Sequence, residues 1–244
     1  MQPQAQLPFD RRGGLVVLVD PGRSTAADAF SVAARAADAG ACGFLIGDSL
    51  GGGANLSAHV TAIREGAPGL PVVQFPASAA ELSADVDAVL FLVLLSGRNP
   101  RYLIEEQVRA VPFFASHPSV LAISTAYLLI DGGTTSSVEQ ASRTQPLPSD
   151  DPQLIVAHIK AARLMGMHAT YLEAGSGAVR PVSPAVIAAA REATDGPLLV
   201  GGGITSVVAA REARVAGADY VVIGTLFERE SGASVQSLAI AARS

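Results

Sequence analysis

Eight short apolar runs recur along the chain, each closed by a glycine or a polar residue: 15–19, 43–47, 71–75, 88–95, 120–130, 168–173, 197–201 and 220–224. They are mostly apolar rather than strictly alternating, so each reads as a strand buried on both faces, as in a parallel sheet. Alanine-rich stretches with helical periodicity separate them, at 25–39, 54–66, 101–111, 152–166, 184–193, 206–216 and 233–242. The segment after the third run, PASAAELSADVD, is too short for a full helix and predicts an irregular connection. Eight strands alternating with helices predict an α/β fold, a (β/α)8 barrel that takes up residues 1–244 as one domain, with 1–13 as a flexible N-terminal segment. A doubly wound open sheet is the alternative. That fold usually carries a glycine fingerprint after its first strand, where this chain has DPGRS.

Composition narrows the class of partner. Hydrophobic residues make up 49%, enough for a large core, and the formal net charge is -5 with no basic run. Nucleic acid and anionic membrane surfaces are therefore not expected as partners. No stretch approaches the ~20 apolar residues of a membrane span, and no secretory signal is evident, so a cytoplasmic location is expected. The one cysteine, Cys42, excludes an intrachain disulfide framework and reads as small core filler.

Glycine-rich strand ends carry the phosphate signal. In VGGGITS, a strand runs into Gly201, Gly202 and Gly203, and Ser206 then opens a helix. Glycines let the backbone approach an anion, and the helix N-terminus offers free N–H groups. Gly224 and Thr225 repeat a glycine–hydroxyl turn on the next strand. In a barrel, the turns after the seventh and eighth strands are where a phosphate usually binds.

Other strand ends supply acids and cations. Asp20, in VDPGRS, closes the first strand and is a candidate ligand for magnesium, with Arg23 beside it to pair with a phosphate. The second strand ends in Gly47, Asp48 and Ser49, another candidate metal or anion turn. Ser96, Arg98 and Asn99 follow the fourth strand and could hold a diphosphate, although Asn99 before Pro100 also reads as a helix cap. The sixth strand ends in YLEAGSGA, which sets Tyr171 and Glu173 beside a loop of small residues that includes Gly175 and Ser176. The four histidines show no zinc spacing, and no GxSxG elbow supports a serine hydrolase.

Taken in order, DPGR, GDS, LLSGRNPRYLIEEQ, YLEAGSGA, VGGGITS and AGADYVVIGT resemble the geranylgeranylglyceryl phosphate synthase family, with its heptaprenyl branch, over roughly residues 15 to 230. The resemblance implies a modified TIM barrel whose third helix is replaced by a loop. It also implies magnesium-dependent transfer of a prenyl chain from an allylic diphosphate to a hydroxyl of a small phosphorylated acceptor. On that basis Tyr171 and Glu173 bind the acceptor's hydroxyls. Gly175 and Ser176 shape the loop, and Gly201, Gly202, Gly203, Gly224 and Thr225 hold its phosphate. Asp20 and Ser49 engage magnesium and the donor diphosphate. The residues themselves add Asp48 as a further metal candidate, and Arg23, Gly47, Arg98 and Asn99 as candidates for the donor diphosphate. Homodimers are common in the family, and helices 101–114 and 152–166 could supply an interface.

The chain departs from the family pattern at Gly22, Arg23, Asp48 and Thr225, and adds Arg180 beside the acceptor loop. An added arginine suits an acceptor with a second negative charge. The expectation is therefore the moenomycin-type branch, which attaches farnesyl to 3-phosphoglycerate in antibiotic biosynthesis, with Arg180 and Arg98 on the acceptor carboxylate. Alternatives are a synthase using sn-glycerol-1-phosphate, a sugar-phosphate isomerase, and a phosphate-binding barrel without catalysis.

Overall fold

The computed structural model describes residues 6–10, 13–47, 56–224, 237 and 239–242. Eight parallel strands close into a barrel in sequence order: β1 (Gly14–Val19), β2 (Gly43–Ile46), β3 (Val72–Gln74), β4 (Ala88–Leu94), β5 (Leu121–Leu129), β6 (Ala169–Glu173), β7 (Leu198–Gly201) and β8 (Tyr220–Ile223). β8 pairs back onto β1, with Gly14 opposite Tyr220. The helices are α1 (Ala26–Ala39), α2 (Leu56–Gly66), α3 (Glu106–Ser116), α4 (Ser137–Ser142), α5 (Pro152–Leu164), α6 (Pro184–Ala193) and α7 (Val207–Val215). Among the described residues, no helix is long and apolar enough to cross a membrane.

The apolar runs work as two layers. On β1, Leu15, Val17 and Val19 point outward into the core shared with the helices, while Val16 points inward with Leu45, Val73, Leu90, Ile123 and Leu199. Burial on both sides is why these strands show no polar alternation. Helix ends follow local chemistry. Thr25 caps α1 in a reciprocal box with Asp28, Ser183 caps α6 and Ser206 caps α7.

The connection after β3 is not a helix. It carries one 3-10 turn, Ala79–Glu81, and then runs to β4. Buried Gln74 at the end of β3 holds this loop: its Nε2 donates to the Glu81 carbonyl (2.8 Å) and its Oε1 accepts from the Ser83 amide (3.0 Å). One glutamine thereby satisfies two backbone groups that a helix would have paired internally.

Three features depart from the sequence expectations. Residues 101–105 form a π-helical turn ahead of α3, and Pro112 lies inside α3. Helix α4 was not anticipated, because its six residues are too short for a periodic signal. The segment expected to be flexible is packed where it is described. Leu7 and Phe9 are buried, the Phe9 ring meets Tyr220 edge-on at 5.4 Å, and the Tyr220 hydroxyl donates to the Asp10 carbonyl. Residues 6–10 thus plug the N-terminal end of the barrel.

Candidate active site

All parallel strands point their C-terminal ends to one mouth, which gathers Asp20, Gly47, Phe75, Ser96, Asp131, Glu173, Gly201 and Gly224. β6 ends there in Tyr171 and Glu173, both facing inward two residues apart, as a strand's period requires. Tyr171 is fully buried and Glu173 is 7% exposed.

β7 turns tightly against this pair. A Cβ on Gly201 would lie 2.6 Å from the Tyr171 hydroxyl and 2.8 Å from Glu173 Oε2. At Gly202, φ is +81° and a Cβ would lie 2.4 Å from Glu173 Oε1. Only glycine fits these two positions, because any side chain would displace the carboxylate or the tyrosine. Among the described residues, the amides of Gly202 and Gly203 donate to no protein group. They precede the N-terminus of α7, an arrangement of backbone N–H groups that suits an anion.

The carboxylate's environment is distinctive. Glu173 Oε1 accepts from the Gly175 amide at 2.7 Å. Burial raises its pKa above the usual carboxylate range, and the Tyr171 hydroxyl and the Gly175 amide only partly oppose that. Tyr127, opposite Tyr171 in the β5–β6 register, sits next to the pair. The rings of Phe75, Tyr127 and Tyr171 meet at 5.4 to 5.5 Å between centroids and form the floor of the mouth. Burial, then the charge of Glu173, pushes both tyrosine hydroxyls well above their ordinary pKa, so both stay protonated. Neither buried hydroxyl has a hydrogen-bond partner of normal geometry in the protein. Two buried hydroxyls beside a buried carboxylate are suited to gripping a polyol.

An apolar trough opens beside this mouth. It measures about 790 Å³ counting its open side and runs from Phe75 and Tyr127 down the flank between β4, α3 and the loop after β3.

The remaining sequence candidates divide. Asp20 and Arg23 stand together at the mouth, with Arg23 Nε 3.4 Å from Asp20 Oδ2, and the Gly22 amide donates to Asp20 Oδ1. Arg180 also lies at the mouth, over Gly133, with its guanidinium 3.6 Å from Asp131. The Gly47 amide is used inside the barrel on the Val19 carbonyl, and the Gly175 amide is used on Glu173. Neither is therefore available to a phosphate. Arg98 turns back onto the Leu95 and Gly97 carbonyls. Asn99 Oδ1 accepts from the Arg101 amide and its Nδ2 donates to the Ser142 carbonyl, so its side chain braces the start of the π-turn, whose N-cap position is Pro100. Exposed Ser176 sits at the loop tip, and Gly224 flanks β1 near Leu18. Asp48, Ser49 and Thr225 lie outside the described residues. Tyr127 and Phe75 were missed by the sequence reading, since each looks like ordinary filler within an apolar run.

Comparisons with known proteins agree with this geometry. The PcrB family model matches residues 10–242. The chain is 40% identical over 220 residues to the geranylgeranylglyceryl phosphate synthase of Spirosoma linguale, covering 90% of this chain and 87% of that one. It is 41% identical over 229 residues to the enzyme of the same name from Cenarchaeum symbiosum, covering 93% and 90%. Among solved structures, the (S)-3-O-geranylgeranylglyceryl phosphate synthase of Thermoplasma acidophilum, in complex with sn-glycerol-1-phosphate, superposes with a TM-score of 0.88 at 28% identity, covering 95% of this chain and 93% of that one. An N-acetylmannosamine-6-phosphate 2-epimerase from Clostridium perfringens, 11% identical with a TM-score of 0.55, shares the barrel fold alone. With the barrel, the glycine cradle and these relatives in agreement, the chain belongs to the PcrB family and is a prenyltransferase.

Proposed function

We propose that the protein joins the prenyl chain of geranylgeranyl diphosphate to a hydroxyl of sn-glycerol-1-phosphate through an ether bond. The observation that carries this reading is the convergence of Tyr171 and Glu173 on Gly201, beside the Gly202–Gly203 amides. The spacing between a hydroxyl-binding pair and an anion cradle suits a three-carbon phosphate. The similarity to geranylgeranylglyceryl phosphate synthases over most of the chain supports the same substrates.

The chemistry follows from the residues. The acceptor's phosphate lies on the Gly202 and Gly203 amides and the N-terminus of α7, where fixed dipoles hold it. The Tyr171 hydroxyl and Glu173 orient the acceptor, and Glu173 takes the proton from the attacking hydroxyl. Its raised pKa makes it a stronger base than an exposed carboxylate. The donor's tail lies in the apolar trough, which places its allylic carbon at the mouth and keeps water away from it.

Magnesium fits the oxygen donors at the end of β1. This ion commonly uses one or two carboxylates and completes its shell with substrate phosphates and water. Asp20 would hold it together with the donor's diphosphate, and when bound it stabilises the departing diphosphate. Arg23 adds a cation to the same edge of the mouth.

The 3-phosphoglycerate acceptor expected from Arg180 and Arg98 has less support. Arg98 is turned onto backbone carbonyls and Arg180 stands against Asp131, so neither presents an unpaired cation to a carboxylate. We also propose a homodimer through the π-turn and α3, whose outer side exposes Ile104, Val108 and Val111.

Incubation with magnesium, geranylgeranyl diphosphate and each acceptor separately, with product identified by mass spectrometry, tests the reading. Geranylgeranylglyceryl phosphate together with released diphosphate is the expected outcome. Product with 3-phosphoglycerate alone overturns the acceptor, and no product with either acceptor overturns the function.

A further inference from the structure

Tyr102, Glu106, Ala110 and Phe114 line the trough at four-residue intervals, so one side of the π-turn and α3 forms its wall. The opposite wall is the loop after β3. Glu106 is the one charged residue of this mostly apolar lining, a carboxylate only 8% exposed. Its contacts explain its presence. Oε2 accepts from the Ala79 amide across the trough at 2.9 Å, while Oε1 accepts from Arg101 Nε at 2.7 Å and from Arg109 at 3.2 Å. One side chain thus ties the 3-10 turn of the loop to the π-turn and to α3.

The tie extends further. The Arg101 guanidinium lies 5.3 Å over the Tyr102 ring, and the Tyr102 hydroxyl donates to the Ala141 carbonyl of α4. Glu106 therefore fixes one wall directly and, through Arg101, a second trough-lining ring. On the barrel side Gln74 holds the loop, Ser57 and Arg64 of α2 hold it at Asp85, and Glu106 joins it to the facing helix.

We propose that Glu106 is a specificity-determining residue that clasps the two walls of the trough, fixes its width and thereby selects the length of the prenyl donor. It touches no reacting atom and has no part in proton transfer. This rests on the trough holding the donor's tail, as in the function proposed above.

The test compares wild type with Glu106→Ala and Glu106→Gln, using geranylgeranyl and farnesyl diphosphates with saturating sn-glycerol-1-phosphate and magnesium. Binding of the unreactive thiodiphosphate analogue of each donor is measured by calorimetry. The glutamine variant keeps an oxygen for the Ala79 amide and loses the charge that holds the two arginines, so it remains informative if the alanine variant does not fold. Glu106→Ala should raise KM for the preferred donor about tenfold, the low end of what one altered pocket contact is worth. Its kcat should stay within about twofold, and the preference between the two chain lengths should collapse toward one. Glu106→Gln should fall between alanine and wild type. A lower melting temperature with an unchanged ratio between donors overturns the clasp and leaves only a structural role. Wild type that binds neither analogue overturns the proposed function and the clasp with it. Wild type that binds both, with variants of unchanged ratio, overturns the clasp alone.

Discussion

Tyr171 and Glu173 converge on a single point, the place where a side chain on Gly201 would begin. Two neighbouring strands thereby build a hydroxyl, a carboxylate and a bare backbone into one small space. Gly201→Ala should displace one of the two functional groups by a fraction of an ångström or more. A shift of that order costs about 100-fold in a positioned reaction, and kcat/KM for the acceptor should fall by roughly that factor. Circular dichroism should show the barrel intact, and near-normal turnover would show that the convergence does not position the acceptor.

Glu173→Gln removes the proposed proton acceptor and keeps its shape. Loss of a general base costs typically about 10²- to 10⁴-fold, and prenyl transfer should drop within that range while donor binding persists. A single-turnover assay with both substrates bound separates the two, and retention of full rate would remove Glu173 from the chemistry.

The raised pKa of Glu173 also fixes the sign of two pH dependences. If the carboxylate form is the active one, kcat should climb with pH along a limb that lies above the ordinary carboxylate range. Stability runs the opposite way. Between the ordinary and the raised value the folded state binds the extra proton, so stability falls as pH rises through that window. Glu173→Gln lacks this loss, and thermal melts of the two proteins should diverge in the variant's favour as pH increases. Parallel melting curves would contradict the assigned shift.

Asp20→Asn should weaken magnesium dependence. Activity should need a higher magnesium concentration to reach half its maximum, and chelation should abolish turnover in both proteins. Donor-analogue binding in the absence of metal should change little, because Arg23 remains. An unchanged magnesium titration would assign the ion elsewhere in the mouth.

Val108→Arg places a charge in the exposed apolar stripe of α3. Sedimentation should show a dimer for wild type and a monomer for the variant. A variant that remains dimeric would move the interface to another face.

The sequence carried the barrel well, because a strand buried on both sides leaves an uninterrupted apolar run that any window reveals. Strand ends fall within one or two residues of those expected. The missing third helix was also visible, as a connection too short to form one. What stayed hidden depends on pairs far apart in the chain. Tyr127 reads as filler in STAYLLI until the register sets it beside Tyr171, and Gln74 and Glu106 gain meaning only from backbone amides on another element. The π-turn after Pro100 leaves no periodic trace. Arg98 and Asn99 read as ligand contacts at a strand end, and the structure adds hydrogen bonds from both to the chain's own turns.

Replacing a helix with the loop after β3 changes which surfaces of the barrel can be occupied. A full ring of helices would seal the outer side of every strand and leave the mouth as the one concave surface. Here β4 keeps a bare outer flank, roofed by a thin loop and walled by α3. For the proposed reaction this sorts an amphiphile by geography, with its phosphate at the top of the barrel and its oily tail down the side. The same protein surface thus meets the two ends of one substrate pair on different sides of the barrel.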